Sequence, residues 1–483
     1  MRDMVLVLNF DDDASRAVTR KLRSDRILAR ILPCDTALED IQAQEPLGLI
    51  LAGGSNGQNP AGLDERILQS GIPVLALGDA AGLMLALLSG SAGETELRGA
   101  VTALTYKSSP LFTGLENGER LLPCARSFRL PEQVVPLCFA QEIIVGFSHE
   151  SLPLYGMQIE VEQNDPDGSL MLRNFALNIC GCTTWWDDDA FITRAVEEIG
   201  RIAGGGRAVC AITGGLASGV SALLAYKALG QNLKCIFVDT GLLRERESDD
   251  VIAFYRDTIG MDITRISAQQ RFLDALRGVT DPSEKRSVIR GLLNQILREE
   301  QEKLEPITAI IKGTSYSDIM FVGVPAYPAS NGAAQLIEPV RELFRDEIRR
   351  VADFMGIPDD LISRQPFPGS GLATRILGEV TEERLATLRA ADAIFRRELK
   401  ASNATKRLLQ YFALLYPMPG NESQSVICLR AVQGSERNQA YASRLPYDVT
   451  ENVVDLIMRD QKSVCRVVYD LTPSGNYSGI EWQ

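Results

Sequence analysis

Short runs of wholly apolar residues, each followed by a helical pattern, mark the first third of the chain. VLVLNF lies near the start, with a polar helix around residues 17–24 behind it; LGLILAGG and IPVLALGD follow, the last leading into LMLALL. Runs that are apolar at every position, end in glycine and lead towards a helix predict strands buried on both faces of a mainly parallel sheet. Further on, VVPLCFA and LPLYGMQIEVE read as antiparallel strands. An amphipathic connecting helix is expected over 190–203, closed by the glycines at 204–206.

The same pattern starts again at AVCAITGG and continues through KCIFVDTG and TAIIKGT. Each is a β-rich run ending in glycine, and ligands of such a sheet gather at the strand C-termini. A long charged helix is expected over 281–304. From about Arg364 the chain changes character: a rigid loop, RQPFPGSG, precedes a mixture of helices with strand-like runs, SVICLRAV and SVCRVVYDL. The predicted fold class is α/β, with two parallel-sheet domains over 1–184 and 190–363 and an α+β domain over 364–483.

The length, 483 residues, agrees with about three domains at ~100–200 residues each. With 45% hydrophobic and 23% charged residues the composition is that of an ordinary globular protein. No run approaches the ~18–20 apolar residues that cross a bilayer. MRDMVLVLNFDDD turns acidic too early for a secretory signal. The net charge of −13 argues against nucleic acid as a partner, and nine scattered cysteines read as reduced thiols of a cytoplasmic protein. Cys180 and Cys182 are too close together for a zinc site. A single histidine, His149, restricts any imidazole chemistry to one position, where a structural role is expected.

The stretch from Leu77 to Met84, LGDAAGLM, has the glycine spacing of a strand-to-helix turn that presents its middle residue at a helix N-terminus. That residue is Ala80, which has no chemistry. Thr213-Gly214-Gly215-Leu216-Ala217-Ser218 follows the strand AVCAI; its glycines let backbone N–H groups approach phosphate, and the helix behind it favours anions.

FVDTGLLR, QPFPGSGLATRILGEV, LRAV, RVVYDL and the terminal GIEWQ, taken with these turns and in this order, resemble the glutamine-hydrolysing GMP synthetases over nearly the whole chain. The resemblance implies a class I glutamine amidotransferase domain, an ATP-pyrophosphatase domain and a C-terminal dimerisation domain. It also implies ATP and Mg²⁺ as cofactors and ATP-dependent amination of XMP to GMP as the family reaction.

Carried over residue by residue, the motifs are depleted. The family's Gly-x-Cys-x-Gly-x-Gln puts its nucleophile at Ala80 and its glutamine at Met84; an ungapped count from Pro73 puts the cysteine at Gly78, with the same consequence. The family's Tyr-Gly-x-Gln-x-His-Pro-Glu runs from Tyr155 to Glu162, so the base histidine is Glu160 and the orienting carboxylate is Glu162. Glutamine hydrolysis needs a thiolate and an imidazole, and neither is present. Gly53 and Gly54 keep the backbone of an oxyanion loop. In the family's Ser-Gly-Gly-x-Asp-Ser loop the acidic residue that helps hold Mg²⁺ is Ala217, while Thr213, Gly214, Gly215 and Ser218 remain as phosphate contacts. Val238 and Asp239 match the adenine and ribose platform, and Gly313 matches as well. Asp318 is kept and is the one metal-ligand candidate. The following lid, from Val322 to Gln335, lacks the family's histidines and lysine. For the purine nucleotide the resemblance leaves Arg364, Pro368, Gly369, Arg430, Glu481 and Gln483; the C-terminal lysine is Asn476 and the final glutamate is Gln483.

The expectation is therefore a GMP-synthetase-like pseudoenzyme, a homodimer through its third domain, that binds a purine nucleotide or serves as a regulatory partner of an active synthetase or another nucleotide enzyme. The alternative is a ligase that uses ammonia or another amine on a purine nucleotide. An unmodified synthetase would need every missing group from a partner chain.

Overall fold

The apolar runs of the first segment become the strands of a single mixed sheet. In the computed structural model the described residues are 3–53, 62–95, 97, 100–122, 126–159, 161, 165–304, 306–322, 334–365, 367–418, 420–434 and 440–473. The chain forms two compact units, Met1–Phe191 and Ile192–Gln483.

In the first unit, β1 (Val5–Asn9), β2 (Ala29–Pro33), β3 (Gly48–Ala52) and β4 (Val74–Leu77) pair in parallel. A small hairpin-like sheet joins β5 (Ser91–Glu94) to a later strand, β8 (Arg126–Arg129). The antiparallel half contains β6 (Ala100–Tyr106), β7 (Gly118–Leu122), β9 (Val134–Ala140) and β10 (Ile143–His149). VVPLCFA is antiparallel as expected. β11 (Leu154–Met157) differs: it pairs antiparallel with β10 but parallel with β4, and so welds the two halves together. The order is β2-β1-β3-β4-β11-β10-β9-β6-β7. Every residue of β3 and β4 is buried, which is why these runs are apolar throughout instead of alternating. The helix Asp12–Ser24 begins at Asp11, whose side chain accepts from the Ala14 N–H; acidic residues fill its first turn and basic ones its last, in agreement with the helix dipole.

The second unit opens with a wholly parallel sheet: β12 (Ala208–Ala211), β13 (Leu233–Asp239), β14 (Ile263–Ser267), β15 (Ala309–Ile311) and β16 (Gln335–Ile337), in the order β14-β13-β12-β15-β16. A second sheet follows, with β17 (Gln410–Met418), β18 (Asn421–Gly434) and β19 (Ala440–Ala442) antiparallel, and β20 (Val464–Tyr469) parallel to β18. The charged stretch is the helix Pro282–Glu302, capped by Asp281 and started by proline; Ile289, Ile296 and Leu297 form its buried stripe. One continuous core holds Ile236, Val238 and Phe272 around the parallel sheet together with Leu372, Leu388, Phe395 and Leu429 of the later segment. This packing fixes the loops at the ends of β12 and β13 against the Phe367 loop within one unit. Among the described residues no helix is long and apolar enough to cross a membrane.

Candidate active site

The first site is the corner after β4. The chain enters the helix Asp79–Leu87 through Gly78, at φ 62° and ψ −132°. A side chain there is strained, and a strained strand-to-helix corner is the backbone of a nucleophile elbow. The glycine spacing put Ala80 at the apex, but Ala80 lies inside the first helical turn, buried, with its N–H donating to the Gly53 carbonyl at 2.9 Å. The corner falls at Gly78 because Gly78 is the residue that adopts positive φ. It has no side chain to react.

Next to the corner, the Asp79 carboxylate lies 3.3 Å from the Arg126 guanidinium, and the Arg126 N–H donates to Gln158. Gly53, at φ 84°, closes against Asp11, where a Cβ would come within 2.4 Å. His149 caps its own turn: its Nδ1 accepts from the N–H groups of Ser151 and Leu152, each at 3.2 Å. Burial pushes the thiols of Cys138 and Cys182 up to about 12, so neither supplies a thiolate near neutral pH. Glu160 and Glu162 lie outside the described residues.

The second site spans the ends of β12, β13 and β15. After β12 the loop passes through Gly214, at φ 83°, to the helix Leu216–Leu229. Ser218 Oγ ties the turn together: it accepts from the Thr213 N–H at 3.2 Å and donates to the Gly215 carbonyl at 2.8 Å. Gly215 caps the helix without any side-chain acceptor, so the helix N-terminus has no anion of its own. Gly313 packs on this turn so closely that a Cβ would lie 2.4 Å from the Ser218 backbone. The four retained loop residues and Gly313 therefore come together, and Ala217 adds no charge to them.

Val238 is buried at the end of β13 and Asp239 follows it. The Asp239 carboxylate accepts from the Gly241 N–H at 3.1 Å and pairs with Arg265 at 2.5 Å; Arg265 also holds Asp249 at 2.8 Å. Asp318, the expected metal ligand, instead caps its own helix, Tyr316–Val322. Its Oδ2 accepts from the Ser315 N–H at 2.8 Å and from Ser315 Oγ at 2.7 Å. No group of three or more His, Cys, Asp or Glu side chains able to hold a metal gathers among the described residues. Mg²⁺ that arrives with a nucleotide takes only one or two carboxylates beside phosphate and water, so Asp318 is the residue that would hold it, and no step is assigned to the ion.

The described residues of the third site each have their own partners or surroundings. Pro368 is buried and Gly369 exposed, with open space where a Cβ would go. Arg364 donates to Asp250 at 2.9 Å. Arg430, expected as a cation for phosphate or for an interface, is buried; it donates to the carbonyls of Asp470 at 3.2 Å and Thr472 at 2.5 Å and clamps the chain that leaves β20. Glu481 and Gln483 lie outside the described residues.

Two features escaped the sequence reading. Lys285 is fully buried and its Nζ donates to three carbonyls, those of Ala373 (3.2 Å), Ile376 (2.6 Å) and Gly378 (2.6 Å), which pins the segment behind the Pro-Phe-Pro loop. Its spacing of four residues from Ile289, on the apolar stripe, was the available signal. Arg389 donates to the carbonyls of Leu243 (3.0 Å) and Gly241 and holds the turn after β13.

The GMP synthase C terminal domain model matches residues 397–482. Over the whole length the chain is 37% identical to the glutamine-hydrolysing GMP synthase of Caldicellulosiruptor saccharolyticus, covering 100% of this chain and 99% of that protein. It is 36% identical to the enzyme of the same description from Clostridium perfringens, covering 100% of both. The corner at Gly78, the glycine loop after β12 and the C-terminal sheet thus lie within the span that these relatives share, and the chain belongs to the glutamine-hydrolysing GMP synthase family.

Proposed function

We propose that this member of the family binds a purine nucleotide but does not hydrolyse glutamine, and that it works as a regulatory partner of a nucleotide enzyme. The observation that carries the reading is Gly78: the corner backbone is kept at φ 62°, ψ −132°, and the reacting side chain is missing. An oxyanion-type loop with no nucleophile can hold a carbonyl but cannot attack it. In the second unit the retained elements are those that contact a nucleotide through backbone: the Thr213–Ser218 turn, Gly313 and the end of β13. The carboxylates that would hold a charge-neutralising metal are replaced at Ala217 or engaged in a helix cap at Asp318.

A second reading, a ligase using free ammonia or another amine, is favoured by one observation: the loop after β12 and the glycine packed against it keep a shape that can receive phosphate. Calorimetric titration with ATP–Mg²⁺, XMP and GMP, paired with a pyrophosphate-release assay containing ammonia, separates the two. The first reading expects saturable binding of at least one nucleotide without pyrophosphate release. Pyrophosphate release would establish the ligase, and absence of any binding would refute both.

A further inference from the structure

Beneath the Phe367 loop lies a concentration of guanidinium groups of which only Arg364 belongs to an expected site. Arg375 is completely buried and Arg244 nearly so. Phe367 stacks on Arg244 at 4.2 Å and on Arg375 at 5.2 Å, and Phe412 covers Arg375 at 4.1 Å. Stacking occupies the guanidinium faces and leaves the N–H edges in plane, which is the geometry that oxyanions prefer.

Most of those edges have no acceptors, although Arg244 Nη1 donates to the Gln365 carbonyl at 3.4 Å. Nε and Nη2 of Arg244, Nη1 of Arg364, and all three nitrogens of Arg375 are buried without a hydrogen-bond partner. The carboxylate at the centre, Asp392, does not satisfy them: it stands 3.8 Å from Arg244, 4.0 Å from Arg375 and 3.8 Å from Arg396, while its Oδ1 accepts from the Ala413 N–H. Glu247 accepts from the Arg244 backbone, and Asp250 is taken by Arg364. Four guanidiniums therefore face three carboxylates. Burial pushes Arg375 down to about 9, the direction expected of a cation short of counter-charge. Buried donors are almost always paired with protein, water or an ion, so an orphan cluster calls for an acceptor-rich occupant.

We infer that Arg244, Arg364 and Arg375 form a binding site for one phosphate-class oxyanion, entered from the Arg364 and Arg396 side, where the cluster is partly exposed. The inference goes beyond the nucleotide reading, because the anion can be free phosphate or the phosphate of a nucleotide.

The test uses the full chain, with thermal unfolding and calorimetric titration against inorganic phosphate, and with chloride at matched ionic strength as control. Saturable phosphate binding with a rise in Tm is expected. Asp392→Asn removes the competing carboxylate and is expected to tighten phosphate binding about tenfold, the opposite of what loss of a structural ion pair would do. Arg364→Gln, at the partly exposed rim, is expected to weaken it about tenfold; Arg375→Met, which removes a core side chain, is read only if it folds. Each tenfold change corresponds to about 1.4 kcal/mol, close to the lower end of the ~1.5–3 kcal/mol of a hydrogen bond to a charged group. Competition by GMP assigns the site to a nucleotide phosphate, and its absence assigns it to the free anion. Failure of nucleotide binding with phosphate binding intact refutes the function proposed above and leaves the anion site standing. No saturable phosphate response, or a response that neither Asp392→Asn nor Arg364→Gln alters, overturns the inference; the latter would place the anion at the loop after β12.

Discussion

Replacing Lys285 by methionine keeps the length and volume of the side chain and removes only the ammonium. The three carbonyls of Ala373, Ile376 and Gly378 then lose their donor in a buried setting. A hydrogen bond to a charged group contributes about 1.5–3 kcal/mol, so three amount to roughly 5–9 kcal/mol before any offset. The offset is desolvation of the ammonium, several kcal/mol per buried ion, which methionine does not suffer. The acceptors win because the Ala373 and Ile376 carbonyls are buried and only that of Gly378 is partly open to water, and the net loss is about 3 kcal/mol. For the unit Ile192–Gln483, at ~2.1 cal/mol/K per residue, each kcal/mol moves Tm by about 1.6 °C, so calorimetry should place the second unit's transition about 5 °C lower. The first unit is the internal control. A shift corresponding to under about 1 kcal/mol, or a rise in Tm, would show that desolvation dominates and that Lys285 does not hold the segment behind the Phe367 loop.

The same lysine gives a pH test. Burial lowers its pKa from 10.5 to about 8, so between those values the unfolded chain binds more protons than the folded one. The wild type's stability relative to Lys285→Met should therefore rise from pH 8 towards 10.5 and be flat below 8, as urea titrations across that window can measure. Gly78→Ala forces a side chain into a positive-φ corner and should lower first-unit stability by about 1–3 kcal/mol in urea unfolding. Gly313→Ala places a methyl 2.4 Å from the Ser218 backbone, which cannot swing aside as a side chain would; it should destabilise the second unit by about 1–3 kcal/mol and abolish any nucleotide titration. Arg265→Gln breaks two ion pairs, to Asp239 and Asp249, whose arginine is more than one-third exposed, and should change stability by about 1 kcal/mol or less.

The sheets were legible in the sequence because their runs are apolar at every position, and VLVLNF, LGLILAGG and KCIFVDTG become β1, β3 and β13. β11 was read half correctly: its residues pattern as a strand, but its two neighbours run in opposite directions, and a run of four residues carries no mark of either partner. The β17 run, QYFALLYPM, was not singled out, because no glycine or turn marks its start. At the elbow, spacing gave two alignments; backbone φ separates them, and a sequence does not print φ. Asp318 matched a motif, and an aspartate three residues beyond a serine at a helix start is also the pattern of a cap, whose hydrogen bonds its Oδ2 makes. Lys285 and Arg375 were missed for a shared reason: a charged residue reads as surface, and only the tertiary arrangement of carbonyls and aromatic rings makes burial tolerable.

The most direct measurement is glutamate release from glutamine by the purified full-length chain, with ATP, Mg²⁺ and XMP present so that any nucleotide-dependent activation is included. With Gly78 at the elbow, release at the rate of a blank without protein is expected. Sustained, enzyme-dependent glutamate formation would contradict the proposed loss of the nucleophile and return the chain to the catalytic members of its family.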